Sequence, residues 1–372
     1  MNRQQPIWWR WGISRSSERD APSRKRNPPP SPPRSPAHAG GKPEPEGSTS
    51  VYFSSVDELE PGSKWAALFA RFWPAYRNWY LKEGDAARPG FITCRRALRE
   101  HMPELEPTWE KLVDLAGGGD MAARFLSLYR PPPFLTACSQ GVWRGKAPAL
   151  VRNYDYDPKL CEGITLRSMW HDREVIAMSD CMWGALDGIN DAGLAASLAF
   201  GGRRVVGDGF GMPLILRYVL EVCENTEEAI RVLKRVPTHM AYNVTVVDRK
   251  GAFATLFLSP DRTPIVTRRP LATNHQRRVD WKEYAGATAS LERERFLGER
   301  LEDRSETLDS LVQRFLQAPL YSARFQQGWG TLYTALYRTA DLSAEFLWPG
   351  GSITQSFDDF RETTVRVDLP KE

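Results

Sequence analysis

The sequence predicts an α+β fold, and three observations carry that prediction. Segments of strand-like alternation arrive in pairs around short Asp/Gly turns, segments with helical apolar spacing arrive in pairs between them, and the proline-rich first fifty residues cannot build a core. Strand pairs and helix pairs arriving in blocks argue for sheets covered by helices.

Ten of the 28 prolines fall before residue 50, in runs such as Asn27-Pro28-Pro29-Pro30. Such a segment cannot bury enough apolar surface to offset its ordering entropy, so residues 1–50 read as a disordered Pro/Arg-rich tail. The pattern changes from residue 56. Trp65, Leu68, Phe69, Phe72 and Trp73 recur at helical spacing, and Leu105, Trp109, Leu112, Val113 and Leu115 repeat it before Gly117-Gly118-Gly119 stops the helix. A short helix over 121–129 ends where Arg130-Pro131-Pro132-Pro133 forces the chain out of helical geometry.

Beyond Cys138 the pattern turns to strands. Residues 149–156 and 174–178 are strand-like, 183–200 read as a hairpin turning at Asn190-Asp191-Ala192-Gly193, and 242–258 as a second turning at Asp248-Arg249-Lys250-Gly251. Between the hairpins lie two helices. Residues 213–224 begin with a proline in the first turn, and 227–236 open with acidic residues that suit the positive end of a helix dipole. Residues 290–301 and 307–316 are helical again, and 331–348 form a late hairpin. Gly207-Asp208-Gly209-Phe210-Gly211 imitates a dinucleotide fingerprint but has Met212 where the third glycine belongs, so it reads as a flexible loop beside the pocket.

Composition narrows the function classes. The tail carries nine Lys/Arg against four Asp/Glu, and the other 322 residues carry 41 against 42, so the net +4 lies in the tail and the folded part has no basic excess for nucleic acid. No apolar run approaches the ~20 residues that span a bilayer, and the N-terminus lacks a signal-peptide apolar region, so no membrane partner is expected. The five cysteines, Cys94, Cys138, Cys161, Cys181 and Cys223, are odd in number, widely spaced and without a C-x-x-C pair. That usage indicates neither a disulfide framework nor a zinc site, and a cytoplasmic location is expected.

Cys138 is the candidate nucleophile. A thiol reacts as thiolate and needs a base within hydrogen-bond reach, yet none of the five histidines (His38, His101, His171, His239, His275) stands in a papain-like or caspase-like signature. Breaking the bond between Ala137 and Cys138 would free an α-amine with an unperturbed pKa of ~7.7–8.0, near the optimum for a general base. One residue would then supply nucleophile and base. A buried cysteine at a strand start is also a common small hydrophobe, so Cys138 alone does not decide the matter.

Six segments in order add to it: Ala137-Cys138-Ser139-Gln140, residues 150–156 with Arg152-Asn153-Tyr154-Asp155, residues 183–194 around Asp187-Gly188-Ile189-Asn190, residues 242–248, Thr273-Asn274-His275, and Ser290-Leu291-Glu292-Arg293. Together they resemble the isopenicillin N acyltransferase-like cysteine peptidases, autoproteolytic acyltransferases and linear-amide hydrolases of the N-terminal-nucleophile superfamily. The resemblance implies a four-layer αββα sandwich with the nucleophile at the start of a central strand. It implies cleavage between Ala137 and Cys138, with 51–137 as a helical pro-segment and 138–372 as the catalytic domain, the two chains staying associated. Cys138 matches the nucleophile, Asp155 the carboxylate that accepts from the α-amine, and Arg152 the arginine that organises charge near the thiol. Asn274 matches an oxyanion-hole donor and Arg293 the Ser-x-x-Arg arginine, with Arg295 as its rival. Asn153 and Asn190 are expected to be structural.

Two departures from the pattern have consequences. Relatives place glycine before the nucleophile where this chain has Ala137, which predicts slow or absent processing. The active-site asparagine of choloylglycine hydrolases falls near Ala196-Ser197-Leu198-Ala199-Phe200, where this chain has none, which disfavours bile-salt-type substrates. The expectation is a self-processing cysteine amidohydrolase or acyltransferase acting on a small linear amide, with Trp143, Tyr154, Trp170 and Phe210 near the acyl pocket. The chemistry needs no metal or organic cofactor. The alternative is an unprocessed homologue serving as a binding or scaffold protein, for which Ala137 is the best support.

Overall fold

The computed structural model describes residues 49–370. The tail expected over 1–50 lies outside them except for Thr49 and Ser50, which already belong to a strand. That strand, β1 (Thr49–Asp57), turns Val51, Phe53 and Ser55 inward, so the segment before Cys138 is not helical throughout. Four helices follow: α1 (Ser63–Tyr80), α2 (Phe91–His101), α3 (Glu106–Leu115) and α4 (Asp120–Leu126). The apolar stripe of α1 stacks Trp65 on Phe69 and Phe69 on Trp73, with ring centroids 5.2 and 5.1 Å apart. Two indoles fasten the helices to later chain, Trp65 Nε1 donating to Met182 O at 3.0 Å and Trp183 Nε1 to Leu126 O at 2.8 Å.

The strands then run β2 (Ala137–Trp143), β3 (Ala149–Tyr156), β4 (Ile164–Ser168), β5 (Val175–Asp180), β6 (Gly184–Asn190) and β7 (Ala195–Phe200). After α5 (Met212–Val222) and α6 (Thr226–Arg235) come β8 (Tyr242–Val247), β9 (Phe253–Ser259), β10 (Arg262–Thr267) and β11 (Leu271–Ala272). Helices α7 (Lys282–Ala287), α8 (Ser290–Glu302) and α9 (Leu308–Phe315) precede β12 (Gly330–Arg338), β13 (Ser343–Trp348), β14 (Gly351–Ser356) and β15 (Thr363–Leu369). Both central hairpins and the late hairpin fall where the alternation predicts them.

Nine strands form one sheet in the order β10-β9-β8-β7-β6-β5-β4-β1-β15, and six form the other in the order β11-β2-β3-β12-β13-β14. The sheets stack face to face through β2, β3, β7 and β8. Helix α5 packs on β6 and β7 and α6 on β8 and β9, while α8 covers β2 and α9 covers β3, which makes the αββα sandwich. Burial on both faces explains why β6, β7 and β8 have no exposed position. Gly184 lets α5 close on the sheet, since a Cβ there would lie 2.5 Å from Pro213 Cβ.

The Gly207–Gly211 loop is pinned rather than flexible. The amide of Gly207 donates to His239 O at 2.9 Å, that of Phe210 to Pro237 O at 2.9 Å and that of Gly211 to Leu128 O at 2.8 Å. A Cβ on Gly209 would meet the Thr238 carbonyl carbon at 2.4 Å, so this glycine serves a close backbone approach.

Candidate active site

Cys138 is the second residue of β2, fully buried. It stands opposite Tyr154 of β3 with its own N–H and C=O turned away from that strand, toward β11. Because β11 pairs only through Leu271 and Ala272, side chains replace a ladder beyond it. Asn274 Oδ1 accepts from Cys138 N–H at 2.9 Å, and Arg293 Nη1 donates to Cys138 O at 2.7 Å.

Alternation along β2 and β3 sorts the site into two faces. Cys138, Gln140, Arg152 and Tyr154 point between the sheets, where Gln140 Nε2 donates to Asn243 O of β8 at 3.1 Å. Ser139, Asn153 and Asp155 point toward α8 and α9, with Ser139 Oγ 2.9 Å from Arg293 Nη1. Arg152, which reaches the cysteine, and Asp155 therefore lie on opposite faces of the same strand.

On the inner face, Arg152 Nη2 lies 3.4 Å from Cys138 Sγ and donates to Leu198 O at 3.1 Å. Its Nη1 is paired with Asp187 of β6, and its guanidinium lies 4.7 Å over the Tyr154 ring. Asp187 also accepts from Tyr333 OH at 2.6 Å and from Tyr337 OH. On the outer face, Asp155 Oδ1 accepts from Thr331 Oγ1 at 2.7 Å, while Oδ2 has no hydrogen bond among the described residues, only Arg293 Nη1 at 3.5 Å. Burial pushes the Asp155 carboxyl up to about 6, against the pull of Arg293 and Thr331.

Asn274 and Arg293 close the cluster. Asn274 Nδ2 donates to Phe200 O at 3.1 Å and approaches Thr136 O at 3.4 Å. Arg293, buried on α8, donates from Nε to Thr288 O at 2.7 Å and from Nη2 to Asn274 Oδ1 at 2.7 Å. Its rival Arg295 is exposed. Thus Cys138, Arg152, Asp155, Asn274 and Arg293, spread over 156 residues of sequence, form one cluster in which Arg152 faces the sulfur, Asn274 and Arg293 hold the Cys138 backbone, and Asp155 lies against Arg293.

Of the aromatic residues expected near the pocket, only Tyr154 joins this cluster. Trp143 packs with the residues under α8 and α9, on the face away from the thiol. Trp170 lies with Thr108, Glu58 and Arg217, and Phe210 with Tyr129 and His101. Asn153 and Asn190 are structural, as expected: Asn153 Nδ2 donates to Phe315 O at 2.7 Å and Asn190 Nδ2 to Leu220 O at 2.9 Å. Sequence reasoning missed Asp187, Tyr333, Tyr337 and Thr331. Asp187 alone carried a signal, as a lone carboxylate inside the apolar run Gly184–Asn190. Among the described residues no group of three or more His, Cys, Asp or Glu could hold a metal ion, and no helix is long and apolar enough to cross a membrane.

Residues 143–352, more than half of the chain, match the family described as acyl-coenzyme A:6-aminopenicillanic acid acyl-transferase. The chain belongs to that family. Its members are N-terminal-nucleophile amidohydrolases and acyltransferases that act on linear amides. The matched span contains Arg152, Asp155, Asn274 and Arg293 and begins five residues after Cys138. No curated protein matches the chain. Similar solved structures include a penicillin V acylase from Agrobacterium tumefaciens (14% identity, TM-score 0.39, 63% of this chain and 92% of that one). Another is a Caenorhabditis elegans N-acylethanolamine-hydrolyzing acid amidase ortholog (18%, 0.42, 63% and 100%). A third is a conjugated bile acid hydrolase from Clostridium perfringens (11%, 0.39, 61% and 96%).

Proposed function

We propose that this chain is a cysteine amidohydrolase or acyltransferase that cuts itself between Ala137 and Cys138 and then processes a small linear amide through a Cys138 thioester. The observation that carries the reading is the convergence of Arg152 Nη2, 3.4 Å from Sγ, and Asn274 Oδ1, 2.9 Å from the Cys138 N–H, on one buried cysteine.

In self-cleavage, Sγ attacks the Ala137 carbonyl carbon. The S–C bond forms, the C–N bond to Cys138 breaks, and the thiol proton ends on the released amine. Water then hydrolyses the thioester, leaving an Ala137 carboxylate and a free thiol. Asn274 Nδ2, 3.4 Å from the carbonyl oxygen of Thr136, is the side-chain donor for the neighbouring oxyanion. One such donor is typically worth ~2.7–4 kcal/mol of transition-state stabilisation.

In turnover the freed α-amine takes the thiol proton and passes it to the leaving amine as the acyl group moves to sulfur. Asp155 Oδ2, with no hydrogen bond among the described residues, is the acceptor for that amine. Arg152 offsets the developing thiolate charge while Asp187 balances the arginine. Water or an amine then takes the acyl group. The two chains stay associated, and the setting is cytoplasmic.

Denaturing intact-mass spectrometry of wild type beside Cys138→Ala tests this. Fragments of roughly 15 and 27 kDa, by the share of the chain on either side, with the variant uncut, are the expected result. One intact chain in both proteins would remove self-processing and favour a non-catalytic binding role.

A further inference from the structure

The dipeptide Asn274-His275 is held by the first turn of α8 through a chain of side chains that the amidase mechanism does not use. Asn274 N–H donates to Ser290 Oγ at 2.8 Å, and Ser290 Oγ lies 2.9 Å from His275 Nδ1. His275 Nε2 lies 3.1 Å from Glu294 Oε2, and Glu294 Oε1 lies 2.9 Å from Arg269 Nη1. Ser290, Arg293 and Glu294 thus grip one dipeptide, and the chain ends at a half-exposed arginine.

Donor arithmetic fixes the Glu294 end of the chain. Burial alone would raise the Glu294 carboxyl, but His275 and Arg269 hold it below its usual value, so it is a carboxylate that can only accept. His275 Nε2 must then carry a proton, and Nδ1 of the same ring faces Ser290 Oγ. Ser290 Oγ accepts from the Asn274 amide, shares a hydrogen bond with His275 Nδ1 and lies 3.0 Å from Thr273 Oγ1. Ser290 is fully buried with an oxygen committed to that amide, so it is no second nucleophile. Helix α8 forgoes the serine as a cap, since its N-cap is Ala289 at φ 49 with no side-chain capping bond.

We propose that His275 and Glu294 are positioning residues for Asn274: the carboxylate holds the imidazole by its Nε2–H, the imidazole orients Ser290, and Ser290 fixes the backbone that aims the Asn274 carboxamide at Cys138. The claim rests on the reading of Asn274 as oxyanion donor. Opposing walls make the aim sensitive. Asn243 Nδ2 donates to Thr273 O at 2.8 Å and His275 O at 2.9 Å, and a Cβ on Gly202 (φ +68) would come within 2.2 Å of Asn274 O. A dipeptide confined on two sides answers to the third.

The test uses the full chain as wild type, Glu294→Ala, Glu294→Gln, His275→Ala and, as a surface control, Arg295→Ala. Amide hydrogen exchange over 273–275 is read first. Faster exchange in Glu294→Ala and His275→Ala, with the control unchanged, is expected; unchanged exchange in both overturns the proposal. Kinetics on an amide that wild type hydrolyses come second. Glu294→Ala should lower kcat about tenfold with KM within about twofold, and Glu294→Gln, which keeps an acceptor for Nε2–H, should recover most of it. In an Asn274→Ala background the Glu294→Ala loss should vanish. A loss of undiminished size there would place the effect elsewhere and overturn the assignment. If Glu294→Ala does not fold, Glu294→Gln and His275→Ala carry both measurements. If wild type hydrolyses no amide, the amidase reading fails while exchange still decides the clamp.

Discussion

Arg152 and Asp187 form an ion pair between the two sheets in which neither side chain has any exposure. Asp187 holds Nη1 of the arginine, and Nη2 is left facing Cys138 Sγ at 3.4 Å. Removing the carboxylate as Asp187→Ala would strand a buried guanidinium and should cost roughly 3–5 kcal/mol, read by urea unfolding. Asp187→Asn keeps an acceptor and should cost less. Wild-type stability in Asp187→Ala would mean that another group balances the charge.

Arg293 donates from all three nitrogens into the site, to Thr288 O, Cys138 O, Ser139 Oγ and Asn274 Oδ1. A lysine offers a point charge without that fork. Arg293→Lys is expected to slow self-cleavage and amide turnover by roughly 100-fold, the scale of losing oriented transition-state donors, and Arg295→Ala to leave both unchanged. A time course by mass spectrometry reads the first and an amide assay the second.

Asp155 gives a pH signature. Its carboxyl is raised by burial to about 6, so the folded state holds the proton more tightly than the unfolded chain. Its ionisation therefore costs stability as pH rises from about 4 to about 6, and the cost is constant above that. Asp155→Asn removes the penalty. The variant should match wild type near pH 4, exceed it in stability above pH 6, and lack amidase activity at both. Thermal melts at the two pH values read the crossover; a constant offset would mean that the group does not titrate there.

Tyr76 of α1 ties the segment before Cys138 to two buried acids. Its hydroxyl binds Glu162 and lies 3.2 Å from Asp180 Oδ1, and it accepts from the Cys181 amide at 2.9 Å. Cys181 and Met182 both hold positive φ, 54 and 75, so the amides are presented by a strained turn. Tyr76→Phe should cost about 1–3 kcal/mol by leaving these groups unsatisfied. Burial and the Glu162 charge raise Asp180 to about 7, so stability should fall as pH rises from about 4 to 7, and Asp180→Asn should flatten that slope. Urea midpoints across this range test both statements.

Hairpins and most of the longer helices were legible because their apolar periods span whole elements, though the 11-residue α2 was not assigned; β3 and β8 run over the residues that alternation assigns. Edges were less legible. β10 contains Pro264 and is largely exposed, β11 has two residues, and β1 belongs to a sheet whose other strands come much later. At the site, the residues named by motif and Tyr154 converge, whereas Trp143, Trp170 and Phe210 lie elsewhere. Trp143 is only five positions from Cys138, and an odd step along a strand turns it to the other face. Tyr333 and Tyr337 were invisible because their partner Asp187 lies 146 and 150 positions away.

The place of β1 between β4 and β15 means that any scission at Cys138 converts folding into assembly. One intrachain sheet would become a complex of two polypeptides, with the first strand of one clasped by a middle and a final strand of the other. Its melting temperature would then depend on protein concentration, which an uncut chain's does not. Ending the chain before Thr363 would uncover the backbone of β1 along a full edge and invite pairing with other molecules. The last seven-residue strand thus guards the seam that self-cleavage would create.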